Sequence, residues 1–409
     1  VKILFTARKE YKEIRNQIAI LDLAQYVRSL GHEADCFYLD DIQKGRIPDT
    51  RYDLVGMSIL QAFGNQPIAD AIWLKGRFRT EFVMGGKWTQ MIDPERIDLL
   101  VRNDIKIHSG PGENYFSDRE IDFDNYPSWS AVDFKTFNYV KGDVMSSRGC
   151  PYNCHFCHNT EKKISYFGIT RTVDNIELLF HLGAKRIFIL DDVFTVNTGR
   201  MDNIYLGLKG RNIEIENRNE LFTHVNFTNA QSIATMARYK PYMVHIGIES
   251  GDDRMLQLMG KKIGIQSAFD KLQLMHESGL PIDTMFIIGF PGENEESLNN
   301  TLNFIKKIQP LVKSIWVSYY QPVYGTRGYE MILERDPGYK LQSLRSKTVS
   351  YIDPDVSEEM LVGYRSLMMK NNPIDSKNPA ALIKKIAYVY GVLKEPLVDL
   401  IGVRRLRIK

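Results

Sequence analysis

No stretch of the 409-residue chain reaches the roughly 18 consecutive apolar residues that read as a membrane-spanning helix. The first residues, Val1-Lys2-Ile3-Leu4-Phe5, run at once into Arg8, Lys9 and Glu10. They read as a first strand and not as a secretory leader, so the expectation is a soluble, cytoplasmic protein with no membrane span. An excess of one charge is also missing. The 53 basic and 50 acidic side chains leave a net charge of +3, which gives no electrostatic case for a nucleic-acid partner. The basic end, Arg404, Arg405, Arg407 and Lys409, reads as a solvated helix end. Repeats and low-complexity tracts are absent. Four cysteines are too few for a disulfide framework. What is present is an ordinary globular mixture, 44% hydrophobic and 25% charged, which excludes a mainly disordered, collagen-like or coiled-coil chain. At about 150 residues per domain, two or three domains are expected.

The first 116 residues alternate strand and helix signals. Strands are predicted at Val1–Ala7, Glu33–Leu39, Asp53–Leu60, Thr80–Gly85 and Ile105–His108, and helices at Ile14–Leu30, Pro67–Phe78 and Pro94–Val101. This order predicts a doubly wound, Rossmann-like α/β domain with a parallel sheet and ligands at the carboxyl ends of its strands. The loops there are Thr6–Lys12, Ser58–Gln66, Gly85–Gln90 and Ser109–Glu113. Gly85, Gly86, Gly110 and Gly112 would let a backbone approach a ligand, or serve plain turns. No G-x-G-x-x-G follows the first strand, which argues against an ordinary dinucleotide fold. Residues 117–142, rich in aromatics and acids, read as a linker packed across a surface. From Asp143 the alternation resumes, with strands predicted at Asp143–Ser147, Arg186–Leu190, His224–Asn226, Met243–Ile248, Thr284–Ile288 and Ser314–Tyr320. Helices are predicted between them, as at Thr172–Leu182, Ala268–Glu277 and Asn294–Lys307. Six βα units over 143–330 suggest a full or partial parallel barrel, with chemistry at the strands' carboxyl ends. Residues 331–409 read as a helical C-terminal region.

Three of the cysteines fall in one segment, Gly149-Cys150-Pro151-Tyr152-Asn153-Cys154-His155-Phe156-Cys157, directly after the first barrel strand. Cys36 stands alone and reads as a buried thiol. Three thiolates this close favour a soft metal centre. Zinc takes four ligands in a closed site, and His155 or His158 would supply the fourth. An iron–sulfur cluster held by three cysteines leaves one iron open. From spacing alone the iron–sulfur, zinc and incidental-thiol readings all stay open.

The C-x3-C-x2-C spacing after a first barrel strand resembles the radical SAM superfamily. The resemblance implies that Cys150, Cys154 and Cys157 bind a [4Fe–4S] cluster whose fourth iron is chelated by S-adenosylmethionine. One electron then cleaves the S–C5′ bond, and the 5′-deoxyadenosyl radical abstracts a hydrogen from substrate. Ile187-Phe188-Ile189-Leu190-Asp191-Asp192 resembles the element ending the second strand, where Asp191 or Asp192 would face the SAM ammonium or else cap the next helix. Gly247-Ile248-Glu249-Ser250-Gly251 resembles the segment ending the fourth strand, which places Glu249 and Ser250 at the SAM ribose or carboxylate. Gly289-Phe290-Pro291-Gly292-Glu293 resembles the fifth-strand element beside the adenine, through Gly289 and Pro291, and is equally a turn and helix start. Phe156 would offer its backbone to the adenine. Arg148 belongs near the cluster or at the surface. Tyr319, Tyr320 and Gln321 line a substrate pocket or belong to the core. The family chemistry also implies an electron donor such as flavodoxin or ferredoxin.

An α/β domain ahead of such a barrel resembles the subgroup with an N-terminal cobalamin-binding domain, a likeness carried by Gly31-His32-Glu33, Asp53-Leu54-Val55-Gly56-Met57-Ser58, Val83-Met84-Gly85-Gly86-Lys87 and Ser109-Gly110-Pro111-Gly112-Glu113. Ser58, Gly85, Gly86 and Gly110 are the cobalamin candidates, and the Gln61–Gln66 and Trp88–Gln90 loops would surround the corrin. No D-x-H-x-x-G supplies a histidine to cobalt. With cobalamin, the implied reaction is methylation of an unactivated carbon of a small-molecule or peptide substrate. Without it, the domain is a scaffold or substrate site and the reaction a dehydrogenation, rearrangement, cyclisation or epimerisation. A methylthiotransferase lacks support, since no second three-cysteine set is present. A reading of another class is a metal-bearing regulatory module that cleaves no SAM.

Overall fold

The computed structural model describes residues 1–8, 17–48, 51–59, 66–90, 92–137, 142–159, 161–341 and 348–373. Much of the Thr6–Lys12 and Gln61–Gln66 loops, and all of 374–409, lie outside the described residues.

Strands β1 (Lys2–Ala7), β2 (Glu33–Tyr38), β3 (Leu54–Ser58), β4 (Glu81–Gly85) and β5 (Lys106–Ile107) form a parallel sheet in the order β2-β1-β3-β4-β5. Helices α1 (Gln17–Ser29), α2 (Leu39–Gln43), α3 (Gln66–Phe78) and α4 (Pro94–Arg102) connect them. Alternation along β1 explains the two layers: Ile3 and Phe5 pack in one core with Ile20, Leu21 and Ala24 of α1. Leu4 packs in another with Ile68, Ala71 and Leu74 of α3. Residues 117–130 have no regular element and lead into α5 (Ala131–Phe137). Tyr126, Trp129 and Phe134 of this stretch are buried in the same core as α1, tying the N-terminal domain to the second half of the chain.

The second sheet contains β6 (Asp143–Val144), then, beyond the separate β7 (Ser147–Arg148) and β8 (Ser165–Tyr166), β9 (Ile187–Ile189), β10 (Asn219–Thr223), β11 (Met243–Glu249), β12 (Ile282–Ile288) and β13 (Ser314–Tyr319). All six strands pair in parallel, in the order β13-β12-β11-β10-β9-β6. Helices α6 (Ile169–His181), α7 (Thr198–Gly210), α8 (Ala230–Tyr239), α9 (Asp253–Leu258), α10 (Ile265–Glu277) and α11 (Glu295–Ile308) complete an open (β/α)6 barrel. On β11, Val244, Ile246 and Ile248 enter the core under the helices, so His245, Gly247 and Glu249 face the lumen.

One expectation needs correction. The third barrel strand lies at Asn219–Thr223 and not at His224–Asn226, where the chain makes a short 3-10 turn. Its sequence, NELFT, carries polar residues at the buried positions Asn219 and Thr223 as well as at Glu220, and so shows no apolar run. In the C-terminal region α12 (Arg327–Arg335) and α13 (Glu358–Lys370) are helical, and the described residues 336–341 and 348–357 between them are not. Among the described residues no helix is long and apolar enough to cross a membrane.

Candidate cofactor site at the mouth of the barrel

β7 and β8 pair antiparallel and close the base of the cysteine loop. Gly149 sits at φ +99, and a Cβ there would collide with the Lys163 carbonyl oxygen, so only glycine fits. The Cys150 amide donates to the Glu161 carbonyl at 2.9 Å and the Cys157 amide to the Cys154 carbonyl at 3.0 Å. The middle of the loop is anchored through His155. Its amide donates to Met259 O at 2.8 Å, its carbonyl accepts from Gly328 N at 2.8 Å, and its Nδ1 lies 2.7 Å from Leu258 O. Tyr152 stacks on His224 with ring centroids 4.1 Å apart.

Asp191 and Asp192 part company. Asp191 is buried, and its carboxylate accepts from the Ser146 and Ser147 amides at 2.7 and 3.0 Å and from their hydroxyls at 2.5 and 2.7 Å. Burial raises its pKa against the pull of these four bonds. It fixes the bend between β6 and β7, with its carboxylate taken up by these four bonds, and it caps no helix. Asp192 is exposed. It accepts from the Gly149 amide at 3.2 Å and the Asn159 side chain at 2.9 Å, and lies 3.9 Å from the Lys87 ammonium.

Cys150 and Cys154 are half-buried and Cys157 is exposed, all as free thiols. Burial pushes up the Cys150 pKa, and that of Cys154 to about 11, and the charge of Cys157 adds to both. A set of mutually repelling thiolates is stabilised by a cationic centre, and the donor set fits a cluster. Among the described residues no three His, Cys, Asp or Glu side chains are close enough to hold a single metal ion. The Nδ1 of His155 is already engaged, and the half-buried His158 is held down to about 4 by burial and by Lys87.

Opposite the loop, Glu249 ends β11 in the left-handed region, at φ +74, an arrangement that persists only when its surroundings enforce it. Its carboxylate pairs with Lys261 at 2.9 Å, both side chains at most 10% exposed. Gly247 leaves the room this carboxylate occupies. Ser250 is buried against α11, bonded to Thr301 at 3.1 Å and to the Asp252 amide at 3.2 Å, so its hydroxyl is committed to the fold. Gly289, at φ +79, donates to Glu293 at 3.3 Å, and Pro291 is buried. Phe156 packs against the cluster of Met255, Met259, Phe290 and Tyr320. Tyr319 and Tyr320 are buried core, while Gln321 bonds Ser350 at 2.8 Å. Sequence reasoning misses Lys261, which reads as surface charge beside Lys262, and Lys87, whose neighbour Asp192 is 105 positions away.

The carboxyl edge of the N-terminal sheet faces this mouth, as the Lys87–Asp192 approach shows. Ser58 ends β3, Gly85 ends β4 and both are half-buried. Gly86 backs onto Ile59, whose amide donates to Gly85 O at 3.0 Å. Gly110 borders open space. His108 is engaged, its Nε2 lying 2.8 Å from Pro111 O.

Residues 144–305 match the radical SAM superfamily. The chain is 30% identical over 239 residues to an uncharacterised methyltransferase of Pyrococcus horikoshii, covering 58% of this chain and 50% of that one. It is 22% identical over 291 residues to a tRNA-2-methylthio-N(6)-dimethylallyladenosine synthase of Ruthia magnifica subsp. Calyptogena magnifica, covering 68% and 61%. The chain thus spans about half the length of the first of these curated relatives. Among solved structures it superposes on the radical S-adenosylmethionine methyltransferase TsrM of Kitasatospora setae, bound to cobalamin and a [4Fe–4S] cluster. The TM-score is 0.73 at 14% identity, over 91% of this chain and 89% of that one. It also resembles the cobalamin-dependent S-adenosylmethionine radical enzyme OxsB, at TM-score 0.64 and 15% identity, over 84% and 59%. The match falls on the barrel and makes that part of the chain similar to a radical SAM domain. Its two domains together have the fold of TsrM and OxsB.

Proposed function

We propose that the protein is a radical SAM enzyme that binds cobalamin and methylates an unactivated carbon of a small-molecule or peptide substrate. The observation that carries this reading is the apposition of the three-cysteine loop and the N-terminal sheet's carboxyl edge, joined at Lys87 and Asp192. When bound, the cluster supplies the electron that splits SAM, and cobalamin supplies a methyl carrier. Cys150, Cys154 and Cys157 would hold the cluster and leave one iron to SAM. Asp192, not Asp191, would face the SAM ammonium, because Asp191 is fully bonded within the fold. Glu249 would lie at the ribose, held by Lys261. The Phe156 backbone and the Gly289–Pro291 turn would flank the adenine. Ser58, Gly85, Gly86 and Gly110 would border the corrin. An electron donor such as flavodoxin or ferredoxin would supply the electron.

Anaerobic incubation of the reconstituted chain with SAM and a low-potential reductant tests the class. 5′-Deoxyadenosine formed by the wild-type chain and lost in Cys150→Ala, Cys154→Ala and Cys157→Ala supports it. Formation that persists in those variants refutes it, and no cleavage by the iron-loaded wild type favours a regulatory metal module.

A further inference from the structure

Asp22 on α1 and Glu113 beyond β5 are buried carboxylates of the N-terminal domain, 0% and 1% exposed. Their partners come from the barrel and the linker. Arg148 spans both, reaching Glu113 at 2.8 Å and Asp22 at 3.1 Å. Arg171 of α6 also pairs with Asp22. The Trp129 indole donates to Asp22 at 2.7 Å and the Tyr126 hydroxyl to Glu113 at 2.7 Å. The Phe167 ring lies under both guanidinium groups, 5.0 Å from that of Arg148 and 3.8 Å from that of Arg171. A buried carboxylate deprived of its cation is strongly unfavourable, and while Asp22 also has Arg171, Glu113 takes its ion pair from Arg148, so Arg148 favours docking of the domains in this register.

Arg148 is also the last residue of β7, immediately ahead of Gly149 and Cys150. At the far end of the cysteines, Asn159 is held by Asp192, which Lys87 of the N-terminal domain approaches. The same Asp192 holds the Gly149 amide. The cysteine loop is therefore gripped at both ends by contacts that reach the N-terminal domain. We propose that Arg148 is a positioning residue through which that domain, by way of Asp22 and Glu113, sets the placement of Cys150 and hence the geometry of the three-thiol site. The N-terminal domain then shapes the metal site directly, besides whatever it binds. This deepens the function proposed above and rests on the loop being the cofactor site.

The test uses the full chain without metal, reduced and anaerobic. A pulse of iodoacetamide followed by peptide mass spectrometry gives a labelling rate for each cysteine, with buried Cys36 reporting global unfolding. Arg148→Met is expected to speed Cys150 labelling about fivefold or more while Cys36 stays protected. Arg148→Lys is expected not to restore the wild-type rate, because a point ammonium cannot span two carboxylates as the guanidinium fork does. A wild-type Cys150 rate in either variant overturns the proposal. If Arg148→Met exposes Cys36, Lys87→Met decides, since that side chain is partly exposed and outside the buried network: faster Cys150 labelling supports the grip, and an unchanged rate refutes it. After reconstitution, the cluster's midpoint potential is expected to differ from wild type in Arg148→Lys, and an identical potential counts against the proposal. Failure of the wild type to take up iron would sink the proposed function and leave the labelling result standing.

Discussion

Glu293 offers a test of how the loop after β12 is held. The residue is 1% exposed. Its carboxylate accepts from the Gly289 amide at 3.3 Å and from the Ser297 hydroxyl. Burial raises its pKa from 4.5 to about 7. The two hydrogen bonds and Arg254 pull it down, and Asp252 pushes it up. The neutral acid is therefore the form the fold prefers. Its favourable contribution is fully present below pH 4.5 and is lost as pH rises through about 7. The gap between those two values corresponds to about 3 kcal/mol of stability lost between mildly acidic and mildly alkaline solution. Glu293→Gln keeps an acceptor for Gly289 and cannot ionise. Urea unfolding of both proteins without metal, at pH 5 and at pH 8, gives the comparison. The variant should gain on the wild type by about 2–3 kcal/mol between those two conditions. Equal pH dependence in the two proteins would refute the burial of an ionisable carboxyl at this turn.

Three further outcomes are expected. Lys261→Met leaves Glu249 buried without its cation and should destabilise the chain by about 3–5 kcal/mol, measured by thermal or urea unfolding, whereas the double change with Glu249→Gln should recover part of the loss. Gly149→Ala forces a Cβ against the Lys163 carbonyl at a positive φ, and should cut iron retention after desalting sharply while far-UV circular dichroism stays unchanged. Asp191→Asn cannot accept all four bonds from Ser146 and Ser147 and should cost about 1–3 kcal/mol, read from the denaturant midpoint.

Much of the scaffold is legible in the sequence because its central strands are buried on both faces. Val1–Ala7 and Thr284–Ile288 announce themselves as short apolar runs, and β1 and β12 stand there. β10 escapes because Glu220 and Phe222 line the lumen, where Glu220 bonds His245 at 3.1 Å. With polar Asn219 and Thr223 on its buried side as well, the strand shows neither an apolar run nor a clean alternation. The cysteine cluster is visible from its spacing, which by itself leaves iron–sulfur, zinc and incidental thiols open. The division of labour between Asp191 and Asp192 is not, because adjacent residues at a strand end point opposite ways and both are acids. Arg148 is hidden for a related reason: its partners lie 126 and 35 positions away, and only folding makes them neighbours. Ser250 and Glu249 form a similar pair, one bonded into α11 and the other turned to Lys261.

Anaerobic reconstitution with iron, sulfide and hydroxocobalamin, then desalting, metal analysis and an absorption spectrum, bears most directly on the proposed reaction. The expected result is about four irons and about one cobalt per chain, with the iron lost in Cys150→Ala and the cobalt retained. Four irons without cobalt would contradict cobalamin-dependent methylation and leave the N-terminal domain as a scaffold or substrate site.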